Sequence, residues 1–355
     1  MERFQNVKAG IANAKNIKLV FPEKPDNDTI GSVLALCSMF KQLNKKVTLP
    51  IERLPQKAKQ FLAPEKKKIT ITLNEDVAEI YYEKKEGHVD LNIVPKNDDF
   101  DTKNFSWEVV SEKGENKEGQ INEPIDLIII LGISRFNEVE KLLPTDEEEL
   151  FACTIVNIDK NPSNENYGDI NIVEQYPLSK TLSFLVKEMK ESVFKKELFD
   201  FLIFGFFSQG SISVKDISTI KWLVGNKGSL DVYFEYRKEQ KPLWAKYLEV
   251  AIKNISIKEN EEIIFSYLPN ENNDDKEWIK NVLQVSKIFR EWIIPNAFFI
   301  SFQENGETKT IFYSSLSSIM NSITKKYKGN FKETGGIIIT SKEPKETMEE
   351  LKELI

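Results

Sequence analysis

The sequence is poor in the residues that build most metal and nucleophile sites. Its 355 residues include one histidine, His88, and two cysteines, Cys37 and Cys153. A Ser-His-Asp triad or a histidine-rich zinc or manganese centre would have to be built around that single imidazole or without it. Two cysteines make no disulfide framework, and their spacing offers no zinc site. We therefore expect a cytoplasmic protein in which both cysteines are structural and His88 is a turn residue.

An excess of positive charge and a long apolar run are also missing. The chain has 49 Lys and Arg against 56 Asp and Glu, a net charge of -7, so no general basic coat attracts duplex DNA or anionic lipid. The most apolar run, 199–207, is interrupted by Asp200 and is too short to span a bilayer. The N-terminal residues are polar and contain no apolar signal segment. We expect neither a membrane nor duplex DNA as a partner, while a local basic groove stays open.

The hydrophobic pattern predicts an α/β fold in the first part of the chain. Hydrophobic residues make up 40% of the sequence, over a length that favours two domains. Short continuous apolar runs alternate with helical spacing, as expected for a parallel sheet covered on both faces. The predicted strands lie at 17–21, 47–49, 125–131 and 154–158, and the predicted helices at 29–43 and 179–189; the run 199–207 is a buried helix or strand.

Two other regions differ from this pattern. Residues 66–123 alternate polar and apolar side chains, which predicts a small antiparallel β insertion with strands at 69–73, 89–93 and 107–109 and a mobile loop at 113–119. Beyond a boundary at 225–241, helical and strand patterns predict an α+β domain. Its expected elements are helices at 243–252 and 345–355 and strands at 263–268, 297–302 and 308–313. The predicted domains are therefore 1–235 and 236–355.

Acidic and small residues follow the first predicted strand. Asp26 and Asp28, spaced i, i+2 at the carboxyl edge of a parallel sheet, can converge on one cation. Gly31 and Ser32 then open a helix whose N-terminal amides suit an anion. In the alternative interpretation this is only a capped loop, with Asp28 as the helix N-cap. Both interpretations stay open on the local sequence.

A second polar segment, 156–164, ends the buried strand at 154–158 and carries Asp159, Lys160, Asn161 and Asn164. Together the two segments resemble the DHH phosphoesterase superfamily, whose first motif is H-x-x-P-D-x-D-x-x-G-S and whose third is N-I-D-H-H-x-x-N, followed by a phrase like F-G-D-I-N. The stretch 248–255 and Gly335-Gly336 are similar to the associated DHHA1 domain. The resemblance implies a parallel-sheet DHH domain, in which the β insertion is extra, and a smaller α+β DHHA1 domain with a cleft between them. The subgroup it resembles most is the oligoribonucleases that also dephosphorylate adenosine 3',5'-bisphosphate.

In that family, two manganese ions are held by aspartates and histidines, and most of these positions are changed here. The residues standing at the family's metal-ligand positions are Pro22, Asp26, Asp28, Gly132, Asp159, Lys160, Asn161 and Gln209, and only the three aspartates match. The Gly-Gly-Gly-His phrase of the second domain becomes Thr334-Gly335-Gly336-Ile337. By resemblance, Asp26, Asp28 and Asp159 are the remaining candidates for catalysis and for metal. The candidates for substrate binding are Ser32, Lys160, Asn161, Asn164, Gly335 and Gly336.

These changes lead us to expect a catalytically inactive homologue that binds a nucleotide or short RNA, or a protein partner through the β insertion. Lys160 is expected to fill the vacated volume and pair with Asp26, Asp28 or Asp159. A divergent phosphodiesterase that holds Mn²⁺ or Mg²⁺ on the three aspartates and acts on short oligonucleotides or small nucleotides is the alternative. A structural subunit of a larger complex is a third possibility.

Overall fold

The computed structural model describes residues 2–62, 67–73, 76–85, 88–95, 124–142, 153–189, 194–269 and 277–355, with the backbone alone at 67–95 and 141–142. The chain divides into two compact units. One comprises Met1–Ala58 with Pro124–Ile355, and the other is Lys59–Glu123. Within the described ranges, no helix has the length and apolar character needed to cross a bilayer.

Helices and strands are interspersed along the described chain. The helices are α1 (Glu2–Asn13), α2 (Asn27–Gln42), α3 (Gln56–Leu62), α4 (Phe136–Leu142), α5 (Leu178–Glu188), α6 (Lys196–Phe207), α7 (Val214–Gly225), α8 (Asp231–Arg237), α9 (Leu243–Lys253), α10 (Trp278–Ile288), α11 (Ser317–Lys326) and α12 (Pro344–Leu354). The strands are β1 (Asn16–Val20), β2 (Lys46–Thr48), β3 (Lys67–Leu73), β4 (Asp76–Lys85), β5 (His88–Pro95), β6 (Leu127–Leu131), β7 (Thr154–Asp159), β8 (Ile170–Val173), β9 (Ser256–Lys258), β10 (Ile263–Tyr267), β11 (Ala297–Glu304), β12 (Glu307–Ser314), β13 (Gly329–Lys332) and β14 (Gly335–Thr340).

The first sheet is parallel throughout and has the order β2-β1-β6-β7-β8. Every residue of β6 is buried, and so is every residue of β7 after Thr154. Both strands are mostly apolar and do not alternate, because helices cover both faces of the sheet; the buried polar residues of β7 are Asn157 and Asp159. The α/β fold with a parallel sheet is thereby confirmed. Strand order reverses at β1, since β2 lies on one side of it and β6 on the other.

Helices α2 and α6 cross in close contact, and two glycines allow the approach. A Cβ atom at Gly31 would lie 2.7 Å from the carbonyl oxygen of Phe201 and 2.9 Å from the amide nitrogen of Gly205. The run 199–207, which the sequence leaves open between helix and strand, belongs to α6 and is buried on all sides. Gly31 is therefore required by helix packing, because any side chain there would push the two backbones apart.

The second sheet has the order β13-β14-β12-β11-β10-β9, in which β10 and β11 are parallel and the other neighbours antiparallel. Its core is rich in phenylalanine, with Phe265, Phe299 and Phe312 stacked across adjacent strands. Buried residues of α11 and α12, including Ile323 and Leu351, complete this core. The α+β character predicted for this part of the chain is confirmed.

The second unit contains a three-stranded antiparallel sheet, β3-β4-β5. The antiparallel β insertion is therefore present, with β4 as a strand that the sequence analysis does not predict. The expectation that His88 is a turn residue is wrong, because His88 is the first residue of β5 and pairs with Lys85, the last residue of β4. The predicted strand at 107–109 and the loop at 113–119 lie outside the described residues.

Candidate functional site

Polar segments from three neighbouring strands meet at the carboxyl edge of the first sheet. Asp26 and Asp28 follow β1, Ser134 follows β6, and Asp159 with Lys160 ends β7. Because the order of strands reverses at β1, this edge of the sheet, which we call the crevice, is the position at which open α/β sheets bind ligands. The structure therefore brings the two polar segments of the sequence together at the expected place.

Lys160 lies between the first two aspartates. Its Nζ is 2.6 Å from Oδ2 of Asp26 and 3.3 Å from Oδ2 of Asp28, which confirms the ion pair expected with these two residues. Burial disfavours the charged forms, but the hydrogen bond between Lys160 and Asp26, together with the surrounding charges, lowers the pKa of Asp26 and raises that of Lys160. Both groups are therefore charged at neutral pH, and the lysine supplies a positive charge where the resemblance implies metal.

Asp26, and not Asp28, is the N-cap of α2. Its Oδ1 accepts hydrogen bonds from the amide of Thr29 at 2.8 Å and from the Thr29 hydroxyl at 2.7 Å. The interpretation that made Asp28 the cap is wrong because α2 begins at Asn27, two residues earlier than the apolar pattern indicates. Asp28 lies inside the first turn and is free to serve another element.

Asp28 holds the start of α5. Its carboxylate is 2% exposed and accepts hydrogen bonds from the amides of Leu178 (2.8 Å) and Ser179 (3.0 Å) and from the Ser179 hydroxyl (2.7 Å). The first amides of a helix have no partner within the helix, and they favour negative charge. Asp28 thus caps a helix that begins 150 residues later in the chain.

Asp159 is bound by a different set of donors, on the side of β6. Oδ2 accepts from the Ser134 hydroxyl and from Nδ2 of Asn164, both at 2.7 Å, while Oδ1 accepts from the Lys160 amide at 2.7 Å. The Lys160 ammonium is hydrogen-bonded to Asp26 and Asp28 instead. Asp159 is 2% exposed and Asn164 6% exposed, so this cluster lies beneath the surface of the crevice.

These residues do not fit a two-manganese centre. Both oxygens of each of the three aspartates already accept hydrogen bonds from the protein, and Lys160 places an ammonium between two of them. The only histidine of the sequence, His88, belongs to the second unit, so the first unit supplies no imidazole ligand of its own. Among the described residues, no group of three or more His, Cys, Asp or Glu side chains is arranged to hold a metal ion.

Two of the positions that depart from the motifs of the resemblance have their own local structure. Gly132 adopts a positive φ of 65°, a backbone conformation that favours glycine, and an added Cβ would contact Leu178 and Thr29. Gln209 follows the end of α6 and is exposed. The backbone at Gly132 therefore differs from what most side chains prefer, and an aspartate introduced there would be strained.

The remaining substrate-binding candidates occupy different environments. Ser32 is fully buried on α2, and its hydroxyl has no hydrogen-bond partner among the described residues. Asn161 is exposed, and its side chain donates to the Ser134 hydroxyl at 2.8 Å and accepts from the amide of Ser163. Asn164 is tied to Asp159, to the carbonyl of Ile133 and to Nδ2 of Asn157. Of the three, only Asn161 reaches the surface of the crevice.

Gly335 and Gly336 lie in the second sheet, beside a cavity of about 550 Å³ that also has Asn330, Lys332, Lys287 and Arg290 in its lining. Both glycines are at the start of β14, where it pairs with β12 on one side and β13 on the other. A Cβ at either position would lie within 2.5 Å of a neighbouring carbonyl oxygen. We call this the glycine cavity. Its three basic side chains make it a suitable site for an anion.

Ser134, Leu178 and Ser179 contribute to the site without having been predicted. Ser134 lies in the segment after the buried strand β6, as Asp26 lies in the segment after β1, so the same reasoning about strand ends would have found it. Leu178 and Ser179 act through backbone amides at a helix start far along the chain. Their role follows from the docking of α5 against α2, for which the sequence contains no local signal.

No protein-family model matches the sequence, and no curated protein matches it. Solved structures similar to this chain include an exopolyphosphatase-related protein from Bacteroides fragilis, 13% identical, covering 99% of this chain and 94% of that one, with a TM-score of 0.40. RecJ in complex with Mn²⁺ from Thermus thermophilus is 11% identical over 99% of this chain and 53% of its own, with a TM-score of 0.32. A putative family II inorganic pyrophosphatase from Methanococcus jannaschii is 10% identical over 64% and 80%, with a TM-score of 0.23. At TM-scores this low, these similarities carry no argument about activity.

Proposed function

We propose that this protein is a non-catalytic homologue of the DHH–DHHA1 phosphoesterases that binds a nucleotide or a short RNA. The observation that carries the proposal is the position of the Lys160 ammonium, 2.6 Å from Asp26 and 3.3 Å from Asp28. A divalent cation bound by these carboxylates would have to displace a positive charge that is already hydrogen-bonded to both. Catalysis by a bound hydroxide needs the metal that this lysine excludes.

Binding without catalysis is supported by the glycine cavity. Lys287, Arg290 and Lys332 line it together with the backbone of Gly335 and Gly336. Phosphate groups are bound in proteins by lysine and arginine side chains and by backbone amides that can approach closely, and glycine permits that approach. The net charge of -7 then restricts attraction of polyanions to local basic surfaces such as this one.

The test combines turnover with binding. Mn²⁺-dependent hydrolysis of a short labelled RNA and of adenosine 3',5'-bisphosphate is measured for the wild type and for an Asp26→Asn, Asp159→Asn double variant, whose folding is checked by thermal unfolding. Binding of the same RNA is measured by calorimetry without metal, for the wild type and for Lys332→Gln. We expect no turnover, and RNA binding that is weaker in Lys332→Gln.

Turnover that disappears in the double variant would overturn the proposal in favour of the divergent metal-dependent phosphodiesterase. Absence of both turnover and binding would also overturn it, and would leave interaction with a protein partner through the β insertion as the function to examine.

A further inference from the structure

We propose that the first sheet's domain carries a separate subsite for a single nucleotide, in a cavity of about 280 Å³ lined by Lys57, Phe207, Tyr233, Tyr236 and Arg237, with Asn27 at its edge. We call it the tyrosine pocket. The inference rests on the proposed function and adds to it a second binding position, with the base on the tyrosines and the phosphate on the lysine. Asn27, one of the lining residues, directly follows Asp26 in the chain.

The two tyrosines are set in place by other rings. Tyr233 and Tyr236 are three residues apart on α8, which puts them on one face of that helix. Tyr236 packs against Phe204 with ring centroids 4.7 Å apart, and Tyr233 packs against Phe207 at 6.2 Å. Both tyrosines remain half-buried. Aromatic rings that are held rigidly at a cavity are stacking surfaces for any nucleobase, because every base has a π-face.

Two cations lie beside the same rings. The Lys57 ammonium is 5.9 Å from the ring centroid of Tyr236, and the guanidinium carbon of Arg237 is 5.6 Å from that of Tyr233. Arg237 is partly neutralised, since its Nε is 2.8 Å from Oε1 of Glu239. Lys57 is exposed and has no ion pair within the part of the chain that the structure describes. Lys57 is therefore the cation available to a phosphate.

The size of the cavity limits the ligand. At about 280 Å³ it lies just below the range of about 300–1,000 Å³ typical of sites for drug-sized molecules, so it suits a ligand no larger than one nucleotide and not a folded chain segment. An apolar occupant would leave Lys57 without an anion beside it. A free anion would leave the tyrosine faces unused. A nucleoside monophosphate satisfies the rings and the cation together.

The experiment is a calorimetric titration of the intact protein with AMP, adenosine and inorganic phosphate. Tyr236→Leu, which keeps an apolar side chain and removes the ring, is expected to weaken AMP binding by at least about fivefold, since base stacking on one ring contributes at least about 1 kcal/mol. Tyr236→Phe is expected to bind AMP more tightly than Tyr236→Leu because the ring is kept. Lys57→Gln is expected to weaken AMP and leave adenosine unchanged. Lys41→Gln, at the far end of α2, makes the same charge change away from the pocket and serves as the control.

The outcomes separate this inference from the proposed function. If AMP binding falls in Lys332→Gln but not in Tyr236→Leu or Lys57→Gln, the nucleotide is held in the glycine cavity. The inference about the tyrosine pocket is then wrong, while the proposed function stands. If wild type binds short RNA but not AMP at millimolar concentration, the tyrosine pocket is not a nucleotide subsite, while the proposed function stands. If it binds neither, both fail. Because Lys57 is exposed, its variant keeps the test valid even if Tyr236→Leu does not fold.

Discussion

The ammonium of Lys160, which follows β7, lies 2.6 Å from Oδ2 of Asp26, which follows β1, although β6 lies between these two strands in the sheet. In the DHH resemblance, histidine stands at the position of Lys160 and metal ions lie against the aspartates. Here the chain carries its own cation, on a side chain that is 36% exposed. The two carboxylates at this edge are therefore balanced by a side chain of the protein itself.

Lys160→His is predicted not to restore metal-dependent hydrolysis. The substitution removes the internal cation and adds one imidazole, but Asp159 still accepts from Ser134 and Asn164, and Gly132 still supplies no ligand. Losing even one supporting partner of a metal ligand costs about 10–100-fold in affinity or activity, and several ligands are missing here. Mn²⁺ binding by electron paramagnetic resonance and hydrolysis of short RNA check this. Turnover in Lys160→His that is absent from the Asp26→Asn, Asp159→Asn variant would contradict it.

Asp28→Ala is predicted to destabilise the fold by about 3–5 kcal/mol, because it leaves the amides of Leu178 and Ser179 and part of the Lys160 charge without their acceptor. Asp26→Ala removes a helix cap at a more exposed position and is expected to cost about 1 kcal/mol. Guanidinium unfolding of the two variants, compared with wild type, gives both values. Equal effects would mean that Asp28 does not hold α5.

Gly31→Ala is predicted to cost about 1–3 kcal/mol, since the new methyl group would overlap the Phe201 carbonyl where α2 crosses α6. Gly225→Ala, at the last residue of α7, is the matched control because nothing lies within 4 Å of its added Cβ. That control is expected to be neutral or stabilising by up to about 1 kcal/mol. Thermal unfolding distinguishes the two, and a neutral Gly31→Ala would contradict the close helix crossing.

Asp200 is predicted to make stability fall as the pH rises. Burial raises the pKa of Asp200 to about 6, against the opposing hydrogen bond from Lys196. The pKa is 3.8 in the unfolded chain and about 6 in the folded one, so the folded state binds the proton more tightly than the unfolded state does. Asp200 therefore contributes stability at low pH that is lost as the pH rises through 6. The effect is on the order of 3 kcal/mol.

The measurement for Asp200 is the difference in unfolding free energy between wild type and Asp200→Asn at pH 4 and at pH 7. Wild type is expected to gain relative to the variant on acidification. Glu350 is a comparison whose pH dependence has the opposite sign. Hydrogen bonds from Lys342 and Lys326 lower its pKa to about 2, so the stability that it contributes falls on acidification. A difference for Asp200 that does not change with pH would contradict the raised pKa.

The parallel sheet and the meeting of its polar strand ends could be predicted from the order of residues alone. The runs at 125–131 and 154–158 are mostly apolar and do not alternate, a pattern typical of strands buried on both faces. Asp26, Asp28 and Lys160 lie at this edge because the carboxyl ends of parallel strands in one sheet share an edge. The ion pair of Lys160 with the two aspartates was expected from the resemblance to the DHH motifs, in which metal lies against these carboxylates, and not from the strand pattern.

The donor that each carboxylate meets depends instead on how the helices pack. Asp28 binds α5, Gly31 accommodates α6, and Tyr236 faces Lys57, and each of these contacts joins segments far apart in the chain. Hydrophobic periodicity reports which face of an element is buried but not which element covers it. Partners for polar groups depend on the distances set by helix packing, so they appear only once the helices are assembled on the sheet.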